Sequence, residues 1–126
     1  MLNFIFTSCT SICPVMSATF QQVQESLGEE RNKVRMVSIS IDPENDTPKV
    51  MKDYLSKFRA KPGWDFLTGS RQDIEKVLKA LDAYTMNKMD HVPLILVRGA
   101  RGDEWVRLSG LIGTTELVRE YEKVKK

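Results

Sequence analysis

Short apolar runs alternate with amphipathic segments along this chain, and this alternation constrains its fold more than any other feature. The apolar runs are rich in Val, Ile, Leu and aromatic residues, as buried strands are, and they cover residues 2–6, 34–41, 64–67, 94–97 and 105–108. Between them, apolar residues recur every three or four positions, which predicts helices, across residues 16–27, 51–58, 74–81 and 117–124. The order β-α-β-α-β-α-β-β-α predicts an α/β protein with a mixed central sheet and helices on both faces.

The length and composition of the chain fit one globular domain. Its 126 residues are 41% hydrophobic and 29% charged, which excludes a disordered or fibrous chain. The net charge of +2, with both signs interspersed, provides no surface for nucleic acid, and no apolar run is long enough to span a membrane. Because the chain opens directly on a run typical of an interior strand, we expect residues 1–126 to be a single domain whose upstream strands are missing from this sequence.

Cys9 and Cys13 are the only cysteines, and they straddle the change from the first strand to the first helix. Four residues apart on a helix, their β-carbons would lie about 5–6 Å apart, which allows either a disulfide or joint capture of a metal ion. A helix N-terminus also stabilises thiolates, the form of cysteine that attacks disulfides and binds soft metals. We therefore interpret the pair as reactive, and we keep an inert structural bridge or two buried thiols as the alternative.

His91 is the only histidine, and it comes just before a predicted strand. In a sheet of thioredoxin type, the turn that carries the cysteines faces the loop before the last hairpin, where Pro93 would place His91 close to both sulfurs. Two thiolates and one imidazole favour copper, because thiolates prefer Cu(I) and the imidazole also tolerates Cu(II). Structural zinc normally needs four protein ligands, which disfavours it here, but a catalytic zinc with an open position stays an alternative.

Three sequence motifs follow one another in a specific order. They are FIFTSCTSICP at residues 4–14, SISIDPENDTP at residues 38–48, and Asp90-His91 before a strand. Together they cover almost the whole chain and resemble the SCO/SenC family of thioredoxin-fold copper chaperones. The resemblance implies a thioredoxin-like three-layer α/β/α sandwich that binds copper, as Cu(I) or Cu(II), through Cys9, Cys13 and His91.

The same resemblance implies a metallochaperone that delivers copper for assembly of the dinuclear copper centre of cytochrome c oxidase. Its partner would be subunit II of that oxidase, or another cuproprotein or copper chaperone. The alternative is a thiol–disulfide oxidoreductase, whose redox-active pair Cys9 and Cys13 keeps the copper-ligand cysteines of the target reduced, so the question of an enzyme stays open. The resemblance also implies a location in the periplasm, or at the inner membrane behind an N-terminal anchor that this sequence lacks. A monomer is a separate expectation, which the resemblance does not supply.

Three residues are expected beside the metal without binding it. Asp42 ends the strand-like run 34–41, at the carboxyl end of a strand, where α/β folds place their sites. It would orient the ligand histidine or tune the thiols. Asp90 and Pro93, on either side of His91, are expected in the same surroundings.

The segment Asp46-Thr47-Pro48 is interpreted as the start of a helix, with Asp46 or Thr47 as its cap and Pro48 in its first turn. A thiol peroxidase is disfavoured, because neither cysteine is preceded by the complete proline and threonine or serine pattern of peroxiredoxin-like sites.

Overall fold

The structure, a computed structural model, describes residues 1–7, 12–83, 94–99, 105–110 and 112–124. Within these ranges the strands and helices are β1 (Leu2–Ile5), α1 (Ile12–Leu27), β2 (Met36–Ser40), α2 (Pro48–Lys57), β3 (Trp64–Leu67), α3 (Arg71–Ala80), β4 (Leu94–Val97), β5 (Val106–Ser109) and α4 (Thr114–Val124). A 3₁₀ helix, Gly28–Lys33, follows α1. None of the helices in these ranges combines the length and the apolar character that crossing a membrane requires.

β1 lies at the centre of the sheet, whose strand order is β3-β2-β1-β4-β5. β1, β2 and β3 run parallel, whereas β4 is antiparallel to β1 and β5 is antiparallel to β4. The parallel strands are connected through α1 and α2, as crossover connections require. The mixed sheet predicted from the order of elements is therefore confirmed.

Helices cover both faces of this sheet. On one face an apolar cluster contains Phe20 of α1 and Leu117 of α4, both fully buried, together with Trp64 of β3. On the other face a second cluster contains Tyr54 of α2 and Ile74 of α3. The predicted three-layer α/β/α arrangement is thus confirmed, and burial of these two apolar faces is its main stabilising contribution.

The second strand is shorter than the apolar run that predicted it. The run covers residues 34–41, but β2 comprises only Met36–Ser40. Val34 and Ile41 are nonetheless buried, and the Ile41 N–H still donates to the Ile5 carbonyl at 2.9 Å. The apolar pattern therefore reports burial, which extends beyond the residues that pair regularly.

Two helices begin on the caps that the sequence indicates. The Thr47 hydroxyl accepts from the Val50 N–H at 3.3 Å at the start of α2, and Pro48 is the first residue of that helix. The Ser70 hydroxyl accepts from the Asp73 N–H at 3.2 Å at the start of α3. Each cap satisfies a backbone donor that has no partner inside its helix.

The parallel pairing of β1 and β2 brings two loops to one edge of the sheet. Ile5 lies opposite Ser40, so both strands end at the same level. Thr7 and Asp42 follow those ends, and the chain that continues from Thr7 leads into α1. We call this region, the carboxyl ends of β1 and β2 with the first turn of α1, the carboxyl edge.

Candidate functional site

Cys13 lies in the first turn of α1 at the carboxyl edge. Its side chain is 0% exposed, and it belongs to the same apolar cluster as Phe6, which follows β1, and Ile41, which follows β2. The prediction that Cys13 sits at a helix N-terminus is confirmed, and the dipole of a helix favours negative charge at that end. Burial at that position shields the sulfur from bulk solvent.

The remaining predicted ligands lie outside the described residues. Cys9 falls in the segment 8–11, and Asp90, His91 and Pro93 fall in the segment 84–93. Among the residues that the structure describes, no group of three or more His, Cys, Asp and Glu could hold a metal ion. The three-ligand site of Cys9, Cys13 and His91 therefore stays a prediction.

Asp42 occupies the position predicted for it, two residues after the end of β2. It is 4% exposed, and its Oδ2 accepts from the Asn45 Nδ2 at 2.9 Å. The Arg71 Nη2 lies 4.0 Å from its Oδ1. A buried carboxylate needs such partners, and they hold Asp42 at the carboxyl edge, on the strand next to the one that leads to Cys13.

Arg71, the first residue of α3, holds the turn that follows β2 in place through hydrogen bonds. Its Nε donates to Glu44 Oε1 at 2.9 Å, its Nη2 contacts Glu44 Oε2, and its Nη1 donates to the Ile41 carbonyl at 3.3 Å. This fork is the two-point geometry in which arginine binds a carboxylate best. Because the pair is exposed, it adds little stability, and its main effect is to fix the turn that carries Asp42.

The pKa of Glu44 tests this contact. The hydrogen bond from Arg71 holds the pKa of Glu44 below its ordinary value, and replacing Arg71 with glutamine is expected to raise it toward that value. Because the folded state has the lower pKa, the contact stabilises the folded state above the ordinary pKa and is lost as the pH falls through the lowered one. NMR titration of the Glu44 carboxyl carbon in both proteins measures the shift.

The control for this titration is Arg35→Gln, which removes an exposed pair with Asp65, 3.8 Å away in this structure. It should leave the Glu44 curve unchanged. Coincident Glu44 curves in the parent and in Arg71→Gln would contradict the pairing.

Asp46 is the residue whose role the sequence did not reveal. Thr47 caps α2, so the alternative that made Asp46 the cap is wrong. Asp46 is instead 1% exposed and accepts hydrogen bonds from Thr7 and from Ser40. One signal in the sequence could have indicated another role for Asp46. Asp46 and Thr47 are both good cap residues and stand side by side, but a helix needs only one cap.

Arg107 of β5 holds the chain where it leaves α3. Its Nη1 donates to the Leu81 carbonyl at 2.7 Å, and its Nη2 donates to the Asp82 carbonyl at 3.0 Å. Leu81 is the C-cap of α3 and Asp82 follows it, and a cation is favourable near a helix C-terminus. The chain just before the segment 84–93 is thereby tied to the edge strand of the sheet.

A three-layer fold with a cysteine in the first turn of the helix that follows the central strand defines a thioredoxin-like protein. Solved structures of Sco proteins match this fold. BsSco, described as a member of the Sco family of cytochrome c oxidase assembly proteins with a disulfide switch, matches with a TM-score of 0.78 at 31% identity, covering 97% of this chain and 77% of that one. ScoI of Arabidopsis thaliana with copper bound matches with a TM-score of 0.78 at 26% identity, covering 97% and 82%.

The chain belongs to the SCO1/SenC family, whose model matches residues 1–103. A SCO1 protein homolog of Bacillus subtilis (strain 168) is 43% identical over 86 residues, which are 66% of this chain and 45% of that protein. A putative copper-binding protein of Stutzerimonas stutzeri is 33% identical over 111 residues, 87% of this chain and 49% of that protein. The chain thus spans about half the length of these curated relatives.

The family covers several locations and one recurring metal. Its members include a lipoprotein of Bacillus anthracis and mitochondrial proteins of yeast and Arabidopsis. Copper is the metal bound in solved structures of relatives from Arabidopsis and Bradyrhizobium japonicum. The predicted fold and family are therefore confirmed, and copper is confirmed as a ligand that this family binds.

Proposed function

We propose that this chain binds copper through Cys9, Cys13 and His91 and delivers it for assembly of the dinuclear copper centre of cytochrome c oxidase. The observation that carries the proposal is the position of Cys13. Its thiol is buried in the first turn of α1, at the edge where β1 and β2 end, in a family whose relatives hold copper.

The chemistry of the donor set fits copper as a cargo. Two thiolates and one imidazole form a soft site that accepts Cu(I) and tolerates Cu(II). The apolar surroundings of Cys13 limit access of water to a bound ion. A site with three protein ligands also leaves room for a ligand from the receiving protein, which transfer requires.

Asp42, Asp90 and Pro93 complete the proposed surroundings of the copper. Asp42 is held by Asn45 and by the nearby Arg71, so its carboxylate is oriented before any metal arrives. Outer partners of this kind orient ligands and raise their basicity. We assign the receiving partner to subunit II of the oxidase or another copper protein, and the location to the periplasm, both on the family resemblance.

An anaerobic copper titration of the reduced protein tests the proposal. We expect uptake of one copper ion per chain, with intense sulfur-to-Cu(II) charge-transfer absorption when Cu(II) is used. His91→Ala should weaken copper binding strongly, because an imidazole ligand is lost. Ser70→Ala is the matched control, since it removes the cap of α3 at a cost of about 1 kcal/mol and touches no predicted ligand. Equal copper affinity in His91→Ala and the parent would contradict the three-ligand site.

A second function, thiol–disulfide oxidoreductase, is favoured by the structural match to a relative with a disulfide switch. In that reaction the thiols of Cys9 and Cys13 give two electrons and two protons to a disulfide of the target, which becomes two thiols, and the pair becomes a disulfide. His91→Ala should leave this exchange largely intact, whereas loss of either cysteine abolishes it. If the parent protein catalysed thiol–disulfide exchange but took up no copper, this second function would replace the first proposal.

A further inference from the structure

Asp46 carries a buried carboxylate that joins the two loops of the carboxyl edge. The Thr7 backbone N–H lies 3.3 Å from each of its oxygens, and the Thr7 hydroxyl donates to its Oδ1. The Ser40 hydroxyl donates to its Oδ2 at 2.7 Å. One side chain therefore holds the chain that leaves β1 and the last residue of β2.

The same network reaches Asp42. The Asp42 N–H donates to the Ser40 Oγ at 3.0 Å, and the Asp46 N–H donates to the Asp42 carbonyl at 2.9 Å. The turn from Asp42 to Asp46 is thus closed on both sides, through the backbone and through Ser40. Thr7 and Asp42 are fixed relative to each other because both are bonded to this one closed turn.

A carboxylate is the group that this position requires. Burying it without partners would cost several kcal/mol, and the donors from Thr7 and Ser40 offset that cost. An amide of the same shape has a single acceptor oxygen, so Thr7 and Ser40 could no longer each donate to an oxygen of their own, and the Ser40 hydroxyl would have to turn and accept from the amide instead. The helix cap gives no reason for an acid here, because Thr47 already caps α2.

We propose that Asp46 is a positioning residue for the cysteine pair. Thr7 lies two residues before Cys9, so its bonds to Asp46 fix the point from which the cysteine-bearing segment starts, while α1 fixes Cys13 at the other end. With both ends fixed, less conformational freedom is lost when the two sulfurs meet each other or share a copper ion. The copper part of this inference rests on the proposed function, but the disulfide part does not.

Asp46→Asn tests the inference, with Thr47→Ala as the matched control. The control loses the neighbouring helix cap, and with it about 1 kcal/mol, but leaves the contacts of Asp46 in place. We expect Asp46→Asn to lower the copper affinity about tenfold relative to the control, as losses of outer partners do. We also expect an about tenfold fall in the equilibrium constant for forming the Cys9–Cys13 disulfide against glutathione, which raises its reduction potential by about 30 mV.

Two further variants show whether the effect passes through Thr7. Thr7→Val removes only the hydroxyl and should reproduce much of the loss, whereas Thr7→Ser keeps the hydroxyl and should behave as the parent. In a double-mutant cycle, Thr7→Val and Asp46→Asn should be strongly non-additive. If Asp46→Asn does not fold, the pair of Thr7 variants decides the question alone.

The inference would be overturned if copper affinity and the equilibrium constant for disulfide formation both stayed within twofold of the control, in Asp46→Asn or in Thr7→Val. Failure of the parent to bind copper would overturn the proposed function instead, and the glutathione equilibrium would still decide the role of Asp46. The two proposals therefore fail by different measurements.

Discussion

Replacing Cys13 with serine is expected to abolish both copper uptake and disulfide exchange. A serine hydroxyl is neither a soft ligand nor a redox group, so the copper affinity should fall by more than the ten- to hundredfold that loss of an outer partner costs. The sulfur-to-Cu(II) charge-transfer absorption should weaken or disappear with it. Titration with Cu(I) and Cu(II), together with a glutathione redox equilibrium, measures both effects.

Ser17→Ala is the matched control for this substitution. Ser17 is buried one turn further along α1, and its hydroxyl lies 3.1 Å from the Tyr54 hydroxyl. The control thus removes one buried polar contact from the same helix without touching a predicted ligand, and it should bind copper as the parent does. A Cys13→Ser protein that is folded and takes up copper with parental affinity would rule out Cys13 as a ligand.

Phe20→Ala is expected to destabilise the fold by about 3–5 kcal/mol. The Phe20 ring is fully buried and packs edge-on against Trp64, with ring centroids 5.8 Å apart. Its removal leaves a cavity between α1, which carries Cys13, and the edge strand β3. Since domains of this size have a free energy of unfolding of about 5–15 kcal/mol, the urea midpoint should fall sharply.

Val15→Ala on the same helix provides the comparison for Phe20. Val15 is 48% exposed, so its truncation should change the free energy of unfolding by no more than about 0.5 kcal/mol. If Phe20→Ala and Val15→Ala had the same urea midpoint, the Phe20 side of α1 would not pack as described.

The layered fold could be predicted because its signals are local. Runs of apolar residues and stripes at helical spacing can be recognised within a few positions of each other. Thr47 and Ser70 mark the starts of their helices because threonine and serine are preferred N-cap residues. The predicted limits of β2 were less accurate. Val34 precedes the strand and Ile41 follows it, yet both are buried like the residues that pair. Apolar composition measures burial, whereas strand pairing depends on the neighbouring strands.

The candidate site was predictable only where its signals are equally local. The spacing of the cysteines and the proline after Cys13 placed that residue at a helix N-terminus, and Asp42 was expected at the end of a strand. The role of Asp46 depends on Thr7, 39 residues away in sequence, and no local pattern records that contact. The places of Cys9 and His91 relative to Cys13 remain predictions.

The fold is expected to tolerate changes in the length of the segment 84–93, because Arg107 holds the chain that precedes it. Its bonds to the Leu81 and Asp82 carbonyls come from β5, and β4 on the far side of the segment is held by its own strand pairing. Insertions or deletions between residues 84 and 93 should therefore leave both ends in place, at the small entropic cost of a changed loop length. Such changes would alter the segment that carries the proposed ligand His91, while the elements on either side of that segment stay held.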